Sequence, residues 1–140
     1  MAATKSGYIA DSSAILATLL PDEKTLPQAK NFLILLETKP IFSSNLLRYE
    51  ICNGLKSTYL QQRITQKATQ TLWKNFLKIP ITYLPTNFPQ TLKLATKHNL
   101  SVYDAAYLHL AKTKKSPLLS LDSRLTKLAQ KKNSIFFPEL

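Results

Sequence analysis

Five short apolar runs alternate with longer stretches of helical pattern, and that alternation is what most restricts the fold. The runs are Gly7 to Ala10, Ile41 to Ser43, Ile81 to Leu84, Leu118 to Leu121 and Ser134 to Phe137. Between them, apolar spacing predicts helices over Ala14 to Leu20, Leu26 to Thr38, Asn45 to Leu60, a segment from a Thr65 cap to Lys78, Asn87 to His98, Leu100 to Lys112, and Arg124 to Lys132. Ser12 or Ser13 is expected to cap the first helix and Ser44 the third. Pro21, Pro40 and Pro80 supply stops, and with Gly7 and Gly54 as the only glycines the turns must rest on Pro, Asn, Ser and Thr. Short apolar strands separated by helices bury both faces most readily as a parallel sheet covered on each side. The expected fold class is α/β, a three-layer α/β/α domain around a central parallel sheet of about five strands.

At 140 residues the chain suits one domain with a real core, so a single unit over residues 1–140 is expected. The lone Cys52 excludes an internal disulfide and a Cys-rich zinc site, and is read as core filler. The longest apolar runs, AILATLL and FLILL, are far too short to span a bilayer, so a soluble, cytoplasmic protein with no membrane partner is expected. Nineteen basic against eight acidic residues give a net charge of +11, a balance that favours polyanionic partners.

Against that charge the placement of the acids is informative. Ligands of open parallel sheets bind outside the carboxyl ends of the strands. Asp11 directly follows the first run and Asp122 the fourth; Asp104 lies in the first turn of its helix, and Glu50 about two turns inside the helix after the second run. Each has a plain explanation. Ser101 and Asp104 have capping-box spacing, while Asp11 and Asp122, each followed by Ser, suit turns or caps. Glu50 has Leu46, Leu47, Asn53 and Gly54 as helical neighbours and no basic partner along the helix; Gly54 is read as leaving space above it for a ligand or a packed neighbour.

Taken together, the four are half of all the acids in a strongly basic chain. Carboxylates gathered in a partly buried site cannot all stay ionised unless a cation compensates them. Oxygen ligands without Cys support favour Mg²⁺ or Mn²⁺ over zinc, and His98 and His109 are poorly placed to join. A carboxylate-held metal within a basic surface points to phosphodiester hydrolysis: a nuclease, with Asp11, Glu50, Asp104 and Asp122 holding one or two metals. Arg124 is the best single candidate for a phosphate contact. Lys112, Lys114 and Lys115, together with Lys127, Lys131 and Lys132, are read mainly as solvated faces from which some contact RNA. Tyr49, Tyr103 and Tyr107 adjoin the acidic motifs and are read first as core or interface residues, with base stacking as the other use. A non-catalytic RNA-binding module and a DNA nuclease are the alternatives.

The stretches YIADSSAILATLL, LLRYEICNGL, LSVYDAAYLHLA and LLSLDSRL resemble, in order and spacing, the four acidic motifs of the PIN-domain ribonucleases, most closely the VapC-type toxins of toxin-antitoxin pairs. The similarity spans roughly Tyr8 to Phe137. It implies that Asp11, Glu50, Asp104 and Asp122 form the acidic site, and that Ser13 and Ser120 are the small polar positions beside the first and fourth motifs. It also implies endoribonuclease activity dependent on Mg²⁺ or Mn²⁺, an RNA substrate, homodimerisation, and restraint by a cognate antitoxin whose C-terminal segment blocks the site.

Overall fold

A computed structural model describes residues 7–131. Pro40 and Pro117 lead the chain out of turns and into β2 (Ile41–Ser44) and β4 (Leu118–Leu119), while β1 (Tyr8–Ala10) and β3 (Thr82–Leu84) complete the sheet. The strands lie in the order β3-β2-β1-β4, and every pairing is parallel. Ile9 pairs with Phe42 on one side and with Leu118 on the other, which fixes β1 at the centre of the register. The sheet has four strands among the described residues where about five were expected; the fifth run, Ser134 to Phe137, lies outside them.

Seven helices connect and cover the strands: α1 (Ser12–Leu19), α2 (Pro27–Thr38), α3 (Leu47–Leu60), α4 (Gln66–Leu77), α5 (Phe88–His98), α6 (Val102–Lys114) and α7 (Ser123–Gln130). Helix α6 packs on β1, β2 and β4 and carries α5 and α7, while α1 to α4 pack on one another, so the architecture is the expected three-layer α/β/α. Local chemistry sets most helix ends. Thr65, Asn87 and Ser101 accept backbone N–H groups of α4, α5 and α6 at 3.1, 3.1 and 3.0 Å, and Pro27 and Pro89 occupy first-turn positions. With so few glycines, the left-handed residues that end α5 and α6 are Asn99 and Lys115, each at φ 53°. The core runs from Ile9 and Ala10 through Ile15, Leu47, Ile51, Leu94, Leu108 and Leu125, each at most 2 % exposed.

Three expectations change. Cys52 is exposed, because it lies on the outward side of α3 beside buried Ile51, so it is not core filler. Helix α1 is capped by Asp11, not by Ser12 or Ser13. Gly54 leaves no open space: a Cβ there would stand 2.5 Å from Leu16 Cδ1, so the packed neighbour, not a ligand, occupies that position.

Candidate active site

The strand order places the crevice. From β1 the chain moves to β2 and β3 on one side and returns to β4 on the other, so the topological switch lies between β1 and β4. Ligands of open α/β sheets bind at such a point. Asp11 leaves β1 and Asp122 follows β4, one on each side of it. Both are N-caps. Asp11 Oδ1 accepts the Ala14 N–H at 3.0 Å, and Asp122 Oδ1 accepts the Leu125 N–H at 3.1 Å. Asp104 lies in the first turn of α6, its own N–H donated to Ser101 Oγ at 3.0 Å. Glu50 lies in the first turn of α3, not two turns inside it, because Asn45 and Leu46 form a turn in which the Leu46 N–H is held by Ser44 Oγ at 3.0 Å. All four carboxylates therefore stand at positive helix ends, which for Asp11, Glu50 and Asp104 favours the charged form.

Burial opposes that. Asp11 is only 5 % exposed, and burial raises its carboxyl above the ordinary value; hydrogen bonds from Ser120, Ser13 and the Ala14 N–H offset part of the rise, and the Asp104 charge adds to it. Glu50 is raised first by burial and then, against the hydrogen bond from Tyr107, by the Asp11 and Asp104 charges. Asp104 is raised by burial and by Asp122, with Ser101 and Arg124 acting the other way. Asp104 is thus the member that couples electrostatically to each of the others. Among the described residues the ion pairs fall on Arg63, with Asp22 at 2.7 Å and Glu23 at 2.8 Å, and none falls on these four.

The two serines tie the crevice together. Ser13 Oγ donates to Asp11 Oδ1 at 2.7 Å and accepts the Leu121 N–H at 2.9 Å; Ser120 Oγ accepts the Asp122 N–H at 3.0 Å and stands 3.3 Å from Ser13 Oγ. A continuous network thereby joins the N-terminus of α1 to the end of β4. Tyr107, expected first as a core or interface residue, is 1 % exposed and donates its hydroxyl to Glu50 Oε1. A Tyr on an apolar helix face gives no sign of where its hydroxyl points, so only the fold exposes this contact. Lys112 is not on a solvated face: it is 8 % exposed, with Nζ donating to the Ala129 and Lys131 carbonyls at 2.8 and 2.6 Å. It anchors the far end of the helix that Asp122 caps. Arg124 is exposed, donates to the His98 carbonyl and lies near enough to Asp104 to influence it. The His98 imidazole is lowered first by burial and then by the charges of Lys97, Lys131, Arg124 and Lys112.

The donor set is chemically suited to a hard divalent cation: oxygen donors, mutually repelling, in no salt bridge among the described residues. Among the described residues no three His, Cys, Asp or Glu side chains form a ready-made metal cage. A larger apolar groove, about 590 Å³, lies between α3 and α4 and is lined by Cys52, Leu55 and Trp73; none of the four acids reaches it. Among the described residues no helix is long and apolar enough to cross a membrane.

Comparison with known proteins agrees with this fold. Ribonuclease VapC3 of Pyrobaculum aerophilum is 29% identical over 121 residues, an alignment covering 84% of this chain and 90% of the relative. The crystal structure of PAE2754, also from Pyrobaculum aerophilum, superposes with a TM-score of 0.69 at 22% identity, covering 90% of this chain and 81% of that one. Mycobacterium tuberculosis VapC20, described as a Sarcin-Ricin loop cleaving toxin, superposes with a TM-score of 0.58 at 15% identity over 86% of this chain and 94% of that one. At these identities the two structures speak for the fold. Residues 8–131 match the PIN domain family, so the β1-to-α7 unit with its acids at the switch point belongs to that family.

Proposed function

We propose that this chain is a VapC-like endoribonuclease toxin that hydrolyses RNA phosphodiester bonds at a centre formed by Asp11, Glu50, Asp104 and Asp122, dependent on Mg²⁺ or Mn²⁺. The observation that carries the reading is the set of carboxylates around the β1/β4 switch point that raise one another, in no salt bridge among the described residues, in a chain of net charge +11. The name of the VapC3 relative supports RNA as substrate. A divalent ion held by these acids would supply an activated water and stabilise charge on the phosphate.

The chain's own groups do the rest. Ser13 and Ser120 fix Asp11 and the start of α7, Tyr107 holds Glu50 in one orientation, and Arg124 positions a flanking phosphate. In keeping with the VapC resemblance, the working unit is a homodimer, restrained by a cognate antitoxin whose C-terminal segment covers the acidic crevice.

Parallel digestion of RNA and single-stranded DNA, with Mg²⁺, with Mn²⁺ and with EDTA, tests the reading. RNA should be cut in either metal, spared in EDTA, and cut in preference to DNA. Equal or preferential DNA cleavage would make the chain a DNA nuclease on the same fold. Binding without cleavage in any metal would make it a non-catalytic RNA-binding module.

A further inference from the structure

The acids of α3 and α6 are each preceded by a tyrosine. Tyr49 stands before Glu50 and Tyr103 before Asp104, and a step of about 100° around a helix turns each ring away from its acid's direction. Tyr107 is buried, but Tyr49 is 78% exposed and Tyr103 51% exposed. Two large aromatic side chains from different helices, open to solvent beside a polar centre, are not core.

Both line one cleft of about 460 Å³, shared with Glu50, Ser12 and Asn53. Its lining carries no Lys or Arg, and Glu50 is its one charged residue. The lining side chains themselves offer a phosphate no cationic partner. A neutral planar group is accepted: it has aromatic faces to stack on, and the exposed Asn53 amide offers both a donor and an acceptor to a heterocycle's edge. Arg48, next to Tyr49 in the chain, is not in the lining; its guanidinium lies over the Tyr83 ring, 4.5 Å from the centroid.

We infer that Tyr49 and Tyr103 form a nucleobase-binding pocket which stacks an unpaired base of the RNA next to the acidic centre. The inference rests on the RNA-cleaving reading above and adds to it the class of group recognised: a base displayed by a single-stranded segment, not the backbone alone.

The test measures binding by fluorescence anisotropy, in EDTA so that nothing is cleaved, using the full chain and labelled oligoadenylate and oligouridylate of about twelve nucleotides, with a tetrahydrofuran abasic oligomer of equal length as control. Tyr49→Ala and Tyr103→Ala should each weaken binding of the base-bearing oligomers by about tenfold, whereas Tyr49→Phe and Tyr103→Phe stay within about twofold of the parent. Abasic binding should be the same for all five proteins. Ala variants that bind as the parent would overturn the pocket, as would Phe variants that fall with them or losses equally large on the abasic oligomer. Sedimentation of the same variants adds an independent arm: unchanged assembly supports the pocket, and an Ala variant that sediments differently from the parent assigns this face to contact between copies and overturns it. A parent that binds none of the oligomers would overturn the pocket and leave the proposed function to its own cleavage test. Stacking without cleavage in either metal would overturn only the nuclease reading.

Discussion

Asp104 raises the carboxyls of Asp11 and Glu50 and is itself raised by Asp122, so a change at this one residue is felt across the crevice. Its carboxyl is raised first by burial, which means the folded chain favours the protonated form. The stability this contributes is fully present below the unfolded value and is lost as pH rises through the folded one. Asp104→Asn is neutral throughout and keeps the backbone hydrogen bond to Ser101 Oγ. In urea unfolding with EDTA, the variant should therefore gain on the parent as pH rises above the ordinary aspartate range, with little difference at the acid end. A constant gap, or a variant weaker at neutral pH, would count against the repulsion described. Tyr107→Phe preserves the ring that fills the core and removes only the hydroxyl on Glu50; it should cost about 10- to 100-fold in Mn²⁺ affinity or cleavage rate, measured by metal titration and initial rates. Wild-type values would reduce Tyr107 to packing. At this scale the sequence was partly readable. Asp11 and Asp122 stood out because each directly follows an apolar run, and their use as caps is what places them at the crevice. Tyr107 did not, since it lies among apolar neighbours of α6 and its partner is distant in the chain.

Helix starts carry the site, and strand ends deliver it. Proline, asparagine and threonine signals located α2, α4 and α5 almost to the residue, because those caps act within four positions of the chain. The entry to α3 was harder. Asn45 and Leu46 fit a helical apolar pattern, yet Ser44 Oγ holds the Leu46 N–H in a turn, which brings Glu50 into the first turn. The outward side of α3 at Cys52 and the packing of Leu16 against Gly54 depend on which neighbours arrive, and no local spacing encodes that. Gly7 shows the opposite case, a close approach with one legal residue. A Cβ there would lie 2.1 Å from the Pro40 carbonyl oxygen, the same oxygen that accepts the Tyr8 N–H at 3.0 Å and starts the β1–β2 pairing. Gly7→Ala should destabilise the fold by about 1–3 kcal/mol, seen as a lower urea midpoint. An unchanged midpoint would mean that the β1–β2 register does not depend on this contact.

Across the whole molecule the charge is divided between a broad basic surround and a small acidic crevice. The surround follows from composition, as nineteen basic residues cannot be hidden in a domain this size, although Lys112 shows that one of them is used inside. RNA affinity should accordingly fall with salt, by about tenfold or more between 50 and 200 mM for as few as three phosphate contacts. An affinity insensitive to salt would place binding on apolar contact instead. Strand order and the switch point were only partly readable: the parallel sheet follows from alternating strands and helices, but which strands flank β1 is decided by long-range pairing. That pairing sets β1, which Asp11 follows, beside β4, which leads to Asp122, and the central proposal is that these two act with Glu50 and Asp104 as one centre. The most direct measurement is the initial rate of RNA cleavage in Mn²⁺ by the parent and by Asp104→Asn, with circular dichroism confirming that both are folded. The account predicts a loss of about a hundredfold or more in the variant, with parent activity abolished by EDTA. A folded Asp104→Asn that cleaves RNA at the parent rate would contradict it.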